Sequence, residues 1–300
     1  MEHSSSRRTP LNVGGLLDGF SLEMTAKDVS RLAETARIVP SGTRVNITFL
    51  GNEDHPMRVA AATAVRDVGL VPVPHLAARR LTSEAELDDL LSRLADAGAC
   101  EQVCTIGGDP AIAAGPFPDS LSVIRSGLLP HHGVRGVAIA GYPDGHPDIP
   151  IEVLWSHLTD KVAALGEQGL ETTILTQFSF DHEAVRSWIG QVRDRGITAP
   201  IRVGTPGPVT AKRLLGFARR FGIGTNTLIV RKYGFSLTNL MGTAGPDRFI
   251  SALASDLVEL PDADRVGLHF YTFGGLVPTS RWAMDFAAIS EQSDQSTAPN

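Results

Sequence analysis

The chain has 300 residues, of which 42% are hydrophobic and 20% are charged, with 30 glycines and 19 prolines. This composition supplies enough apolar side chains for a large core and excludes a globally disordered chain or a collagen-like rod. With 27 Lys and Arg against 33 Asp and Glu, the formal net charge is −6, which argues against a general nucleic-acid binder or a protein of anionic membrane surfaces.

The sequence shows neither a targeting segment nor a metal-binding motif. No run approaches ~18 uncharged apolar residues, and the polar amino terminus lacks the apolar segment of a secretory signal. We therefore expect a cytoplasmic protein without a membrane-spanning segment. Cys100 and Cys104 are the two cysteines, too few for a disulfide framework or a four-cysteine zinc site. We expect no bound metal, because no H-E-x-x-H pattern occurs and the adjacent His131 and His132 are typical of a solvated loop.

Short apolar runs alternate with helical segments along the chain. We expect polar, disordered tails at 1–13 and 291–300, flanking one domain at 14–290. Eight runs have the composition of strands buried on both faces: 14–22, 45–50, 70–75, 102–106, 136–142, 171–177, 201–203 and 266–271. Helical patterns fill the intervals: 26–38, 56–68, a capping box from Thr82 to a stop at Gly98, 153–168, a helix capped by Asp181, 210–221, 247–258 and 278–290.

Eight strand–helix units in one chain of this length predict an α/β fold, the (β/α)8 TIM barrel. A doubly wound sheet is the alternative, but no G-x-G-x-x-G motif follows the first strand. In a barrel, catalytic residues lie where the strands end and the βα loops begin. Polar residues fall at the predicted strand ends: Glu23, Thr48, His75, Asp109, Tyr142, His146, Gln177, Asp181, Thr205 and 269–272.

Glu23 and Asp109 are the best candidates for an acid–base pair. A carboxyl between Leu22 and Met24 is expected to be desolvated, which would raise its pKa toward the working range of a general acid. Asp109 follows two glycines that permit close approach of the backbone to a ligand. Glu23 also fits a carboxylate at a helix start, and Asp109 also fits a turn or an N-cap.

Seven motifs occur in the order of the strands: Ser21-Leu22-Glu23-Met24, Ile47-Thr48-Phe49-Leu50-Gly51, Pro74-His75-Leu76, Gly108-Asp109-Pro110, Tyr142-Pro143-x-x-His146-Pro147, Thr176-Gln177-Phe178-x-Phe180-Asp181 and Phe270-Tyr271-Thr272. Together they resemble the methylenetetrahydrofolate reductase family, over roughly residues 15 to 285. The resemblance implies reduction of 5,10-methylenetetrahydrofolate to 5-methyltetrahydrofolate with NADH or NADPH. The small-molecule partner would then be a folate.

The resemblance also implies roles for individual residues. Glu23 would protonate N10 of the folate, and Asp109 would face the pterin and stabilise the cationic iminium. Gln177, Phe217 and Tyr271 would bind the substrate, although Phe217 also fits a plain apolar position on a helix. Five further residues match cofactor contacts of the family: Thr48, His75, Tyr142, His146 and Lys161.

The chain departs from the family where a flavin would be held. Gly107 stands where the family has an arginine, Leu154 aligns near a family aspartate, and Phe273-Gly274-Gly275 replaces a segment with an arginine. We therefore expect FAD binding to be weak or absent, with direct hydride transfer from NADH or NADPH. The sequence does not distinguish NADH from NADPH and does not specify an oligomeric state.

Two alternatives use the same fold. One is a folate-dependent one-carbon transferase, and the other is a non-catalytic barrel that binds folate or a partner protein.

Because the substrates are anionic and the chain is acidic, positive charge must be gathered locally. The cations expected to do so are Arg58, Arg79, Arg80, Lys161 and Arg281, although Arg79 and Arg80 also fit a solvated face.

Overall fold

The computed structural model describes residues 12–49, 51, 53–220 and 243–297. Its main sheet consists of eight strands: Ser21–Met24 (β1), Arg44–Ile47 (β2), Val71–Ala77 (β3), Gln102–Ile106 (β4), Gly136–Gly141 (β5), Glu171–Thr176 (β6), Ile201–Pro206 (β7) and Val266–Tyr271 (β10). They close into a barrel in the order β1-β10-β7-β6-β5-β4-β3-β2, and every pair is parallel. The predicted (β/α)8 barrel is confirmed.

Helices follow the strands along the chain. They are Val13–Leu17 (α1), Leu32–Thr35 (α2), His55–Asp67 (α3), Glu84–Asp96 (α4), Ser120–Arg125 (α5), Leu128–His131 (α6), Ile151–Glu167 (α7), His182–Asp194 (α8), Ala211–Arg220 (α9), Asp247–Leu257 (α10) and Leu276–Thr297 (α11). Short 3₁₀ segments cover Ala26–Arg31, Ala78–Arg80 and Ala263–Arg265, and the two-residue strands Val209–Thr210 (β8) and Thr243–Ala244 (β9) pair antiparallel. Among the described residues, no helix is both long enough and apolar enough to span a bilayer.

The predicted helix starts follow from local capping. Ser83 accepts a hydrogen bond from the Glu86 backbone at 3.1 Å, and the Glu86 carboxylate accepts from the Thr82 backbone at 2.6 Å. The capping box therefore begins α4 as expected. Asp181 accepts from the Ala184 backbone at 3.3 Å and begins α8. Both caps satisfy amides that have no partner within the first helical turn.

The first strand was placed wrongly. Instead of one strand over 14–22, the structure has helix α1 and then a strand from Ser21 to Met24. Asn12 caps α1 by accepting a hydrogen bond from Gly15 at 2.8 Å. The last two residues of α1 are buried, and the helix packs on β10 and α11. Long-range packing at this end of the barrel therefore outweighs the strand-like composition, and Glu23 lies within β1.

Several other boundaries shift by a few residues. β2 ends at Ile47, whereas β3 continues to Ala77 and β7 to Pro206 because neighbouring strands pair along these extensions. His75 is consequently inside a strand. α11 continues to Thr297, beyond the predicted end at 290. Residues 1–11 of the predicted tail at 1–13 lie outside the described residues.

The core has an outer and an inner part. Outward side chains of the strands, such as Leu22, Val45 and Ile139, are fully buried against the helices. A smaller apolar layer inside the barrel contains Val73 and Leu175. Because side chains alternate along each strand, the remaining inward positions are free to carry polar groups.

Gly204 on β7 is required by close contact inside the barrel. A Cβ atom there would lie 2.4 Å from the Thr176 carbonyl oxygen and 2.7 Å from Cε2 of Tyr271. We expect Gly204→Ala to lower the free energy of unfolding by about 1–3 kcal/mol, the usual cost of overpacking, as measured by urea denaturation. Gly190→Ala on α8 is the matched control, since no described atom lies within 4 Å of its added methyl. This control should raise stability by up to ~1 kcal/mol, and equal effects at the two sites would contradict the packing argument.

Candidate active site

The inward side chains of β1 and β10 form the centre of the site. Register pairs Ser21 with His269 across these strands. The Ser21 hydroxyl is hydrogen-bonded to Nδ1 of His269 at 2.9 Å, and Nε2 of the same ring lies 3.7 Å from Oε2 of Glu23. His269 is fully buried and the Glu23 side chain is 16% exposed. The three residues form a polar chain that leads up the inside of the barrel to a carboxylate.

The pKa of Glu23 is lowered, so the expectation of a raised value was wrong in its direction. Burial raises the pKa of this carboxyl, as the sequence suggested. The polar neighbours of the carboxyl, first the His269 imidazole and then His75 and the Thr48 hydroxyl, together outweigh burial. The carboxylate is therefore ionised in the free protein at neutral pH. The two imidazoles come from His75 and His269, which are distant from Glu23 in sequence, so the sequence alone did not place them beside the carboxyl.

His269 belongs to the polar strand end 269–272 expected from the sequence, but the sequence did not predict its role beside Glu23. It stands in β10, whose other residues are apolar, glycine or aromatic. A fully buried imidazole in such a strand needs a polar partner. That partner is supplied by Ser21, and the inward register of His269 could have been read from its alternation with Phe270.

His75 presents ring nitrogens that lack partners, beside the buried hydroxyl of Thr48. Within the described residues, both ring nitrogens of His75 are buried without a hydrogen bond. Burial lowers the pKa of His75 to about 4, so its imidazole is neutral at pH 7. Buried polar groups without protein partners are expected to meet a ligand or water. Both residues act on the pKa of Glu23, so these atoms border the same site.

The backbone around Glu23 is fixed from two sides. The Thr272 hydroxyl donates to the Glu23 carbonyl at 2.6 Å. Just after β1, the Asp28 carboxylate accepts from the Thr25 backbone and hydroxyl, each at 2.9 Å. These bonds hold the end of β1 against β10 and keep the carboxylate in its position.

Asp109 follows β4 and is held by Arg80. Nε and Nη2 of Arg80 donate to Oδ1 of Asp109 at 2.9 and 2.5 Å. Both bonds end on the same oxygen, so Oδ2 has no hydrogen bond from the described residues. The guanidinium of Arg80 also lies 5.2 Å from the ring centre of Phe49, where Arg58 lies at 4.1 Å. Asp109 remains 74% exposed, which suits a carboxylate that meets an incoming ligand.

The predicted substrate-binding residues occupy the same end of the barrel. The Gln177 side-chain oxygen accepts from the Phe178 backbone at 3.1 Å, so its amide N–H groups are directed elsewhere. Tyr271 donates to the Thr176 carbonyl at 3.1 Å, and its ring lies edge-on to His269 at 4.9 Å. Burial, and then the charge of Glu23, raise the pKa of Tyr271 well above its ordinary value. Phe217 belongs to α9, but its side chain lies outside the described residues.

The remaining predicted cofactor residues follow β5 or lie on α7. Tyr142 is half-buried and meets the His146 ring edge-on at 5.5 Å. His146 in turn accepts from the Asp148 backbone at 3.1 Å, which braces this loop as a compact turn. Lys161 is buried on α7, where burial lowers its pKa and the charge of Asp119 partly restores it.

The cations expected to gather anionic ligands are already engaged within the protein. Arg58 donates to the His75 carbonyl, Arg80 binds Asp109 and Lys161 faces Asp119. Arg79 donates to two proline carbonyls, and Arg281 pairs with Glu34 at 2.6 Å. Each of the five cations therefore has a partner within the protein.

The cysteines do not take part in this chemistry. Cys100 and Cys104 are free and buried, and burial raises the pKa of each thiol to about 12. Such thiols are protonated at neutral pH and are poor nucleophiles. Among the described residues, no group of three or more His, Cys, Asp or Glu could hold a metal ion.

Comparisons of the sequence with a family model and with known proteins agree on one family. Residues 21–222 match the model of the family described as methylenetetrahydrofolate reductase. Methylenetetrahydrofolate reductase 2 of Saccharomyces cerevisiae is 28% identical over 183 residues, covering 57% of this chain and 28% of its own. A probable methylenetetrahydrofolate reductase (NADH) of Oryza sativa is 26% identical over 160 residues, covering 49% of this chain and 26% of its own.

This chain therefore matches only about a quarter of the length of these relatives. Among solved structures, a dihydropteroate synthase from Thermus thermophilus is similar with a TM-score of 0.49 and 14% identity, covering 92% of this chain and 95% of that one.

The neutral His75 makes stability depend on pH. Its pKa lies near 4 in the folded protein and near 6.5 when unfolded, so the unfolded state binds more protons between these values. Stability then falls as pH drops through this range. We expect the free energy of unfolding to decrease by about 2 kcal/mol between pH ~7 and ~5 because of this one group.

Urea denaturation at both pH values checks this expectation. His75→Gln should lose that part of the pH dependence, while His131→Gln, which removes an exposed imidazole, should retain it. A His75→Gln variant with the pH dependence of the unmodified protein would show that His75 is not its source.

Proposed function

Because the chain belongs to the methylenetetrahydrofolate reductase family, we propose that it reduces 5,10-methylenetetrahydrofolate to 5-methyltetrahydrofolate with NAD(P)H. The observation that carries this proposal is the buried group Ser21–His269–Glu23, which ends beside Thr48 and the unpartnered ring nitrogens of His75. A non-catalytic binding barrel would have no need of a carboxylate in such a costly position.

Glu23 is the proton donor in this proposal. Donation to N10 breaks the bond between N10 and the methylene carbon, and the electrons of N5 form an iminium. The nicotinamide then supplies a hydride to the methylene carbon, which becomes the N5-methyl group. One proton and one hydride are consumed, and the dinucleotide leaves oxidised.

The step requires the protonated form of Glu23. Glu23 is ionised in the free protein because its neighbours outweigh burial. A bound folate removes the remaining water from the carboxylate, which strengthens the effect of burial and favours the protonated acid. His269, held by Ser21, lies 3.7 Å from the carboxylate and fixes the polar surroundings of the acid.

Asp109 stabilises the iminium by its negative charge. Arg80 holds Oδ1 in two hydrogen bonds, which leaves Oδ2 to face the pterin. Gln177 offers its amide N–H groups to the pterin, and Tyr271 and Phe217 supply aromatic faces for stacking. These roles follow the positions of the residues in the family motifs.

We propose that the hydride passes directly from the dinucleotide to the folate, without tightly bound flavin. The glycine at position 107, where the family motif has an arginine, supports this proposal. The name of the rice relative specifies NADH, and we therefore take NADH as the first reductant to test.

The central experiment combines the absorbance spectrum of the purified chain with a turnover assay. We expect no retained flavin band near ~450 nm, and oxidation of NADH only when 5,10-methylenetetrahydrofolate is present. Stoichiometric flavin absorbance that survives dialysis would contradict direct transfer. Methyl-group transfer without NADH oxidation would identify a one-carbon transferase instead, and folate binding without turnover would identify a binding protein.

Glu23→Gln tests the proton donor. Turnover should fall by at least ~10²-fold, the usual scale for loss of a general acid, while folate affinity stays nearly the same because the amide keeps the shape of the carboxyl. Stopped-flow measurement of NADH oxidation, with folate binding by calorimetry, separates the two effects. The control is Glu34→Gln, the same substitution in a surface ion pair with Arg281, which should keep normal turnover. Unchanged turnover in Glu23→Gln would remove this residue from the role.

A further inference from the structure

A cavity opens at the amino-terminal ends of the strands and reaches into the barrel as far as Ser21 and Asn46. It has a volume of about 720 Å³ and is bordered by the amino-terminal residues of several strands, by α7 and by the loop 195–200. This volume is within the range of small-molecule sites. We call it the lower cavity.

β6 and β7 pair over a short length beside the lower cavity. Their register joins Ile174 with Ile201 and Leu175 with Arg202. Residues 171–173 of β6 therefore have no partner in the register with β7, and they border the cavity. The lining extends from Asn46 and Ala138 inside the barrel to residues of α7.

Positive charge is concentrated around this cavity. Its lining contains one carboxylate, Glu171, and four arginines: Arg44, Arg195, Arg202 and Arg265. None of these arginines forms an ion pair with a carboxylate in the part of the chain that the structure describes. Four positive charges against one negative charge are unusual in a chain whose net charge is −6. An anion in the cavity would therefore be attracted by a local field of the opposite sign to the whole protein.

Three of the guanidinium groups are already oriented. Each donates one N–H to a backbone carbonyl: Arg202 to Gly19 at 2.6 Å, Arg265 to Thr198 at 2.6 Å and Arg195 to Gln191 at 2.8 Å. A guanidinium has five N–H donors in a fixed plane, so each group keeps donors for a ligand. Fixed donors lose less side-chain entropy on binding than mobile ones.

Two of the arginines also repel each other. Burial, and then the charge of Arg44, lower the pKa of Arg202 to about 10, while Asp18 acts in the other direction. A bound anion would offset this repulsion. On the barrel side, Oδ1 of Asn46 is a buried acceptor without a hydrogen bond from the described residues. A ligand that carries a hydroxyl or amino donor would satisfy it.

We propose that the lower cavity binds a small multivalent oxyanion, with phosphate or carboxylate groups on the arginines and a donor toward Asn46. Its four arginines have no role in the proposed folate reduction, although Ser21, which is hydrogen-bonded to His269, borders the cavity. Arginine recognises phosphate and carboxylate groups through paired hydrogen bonds, so both ligand sources share one chemistry.

Calorimetric titration of the full chain with pyrophosphate and with citrate, at constant ionic strength, tests this proposal. We expect binding of one equivalent of at least one of these probes. Tighter binding of pyrophosphate would indicate a phosphorylated ligand, and tighter binding of citrate a hydroxy-polycarboxylate, and both support the site. Arg44→Gln and Arg265→Gln should each weaken binding by at least ~10-fold, the expected effect of losing a charged hydrogen bond.

Arg93→Gln provides the matched control, because it removes the same charge from an exposed pair on α4 and should leave affinity unchanged. Equal weakening by the control would mean a general charge effect and overturn the proposal. So would absence of binding at millimolar probe, or binding that saturating folate abolishes and Arg44→Gln and Arg265→Gln do not change. Thermal unfolding of each variant establishes that it is folded, and the two arginine variants test the site independently.

Discussion

The pairing of β1 with β10 is the constraint on which the candidate site depends. It closes the ring between the first and the last strand, with Ser21 beside His269 and Leu22 beside Phe270. Because side chains alternate along a strand, this register directs Glu23 and His269 into the barrel and Leu22 and Phe270 to the outer core. A shift by one residue would place apolar side chains where the acid and the imidazole now meet. Closure of the fold and assembly of the site are therefore one event.

The charge state of Glu23 is a property of a group of residues. Burial alone would favour the neutral acid, and the two imidazoles favour the carboxylate. His75 is kept neutral mainly by its own burial, despite the attraction of Glu23. Small changes in hydration can shift a proton within such a coupled set. A ligand that excludes water therefore changes the chemistry of the site without moving the backbone.

Local signals in the sequence were sufficient for most of the fold. Apolar runs located the strands, and side-chain caps such as Asp181 located helix starts. The five residues of α1 gave no periodic signal, since the helix depends on packing against the far end of the chain. The predicted direction of the Glu23 pKa shift was wrong for the same reason, because its neighbour His269 is distant in sequence. The Arg80–Asp109 pair likewise joins two loops whose approach only the closed barrel determines.

The short pairing between β6 and β7 has a consequence for association between molecules. A complete barrel has no free strand edge, but residues 171–173 of β6 form one within the wall. Free edges can recruit strands from other chains. Here the edge carries a glutamate followed by two threonines and is bordered by α7 and the loop 195–200. A charged residue and a cover of neighbouring chain are common protections for such an edge, so it is kept from serving as a template for aggregation.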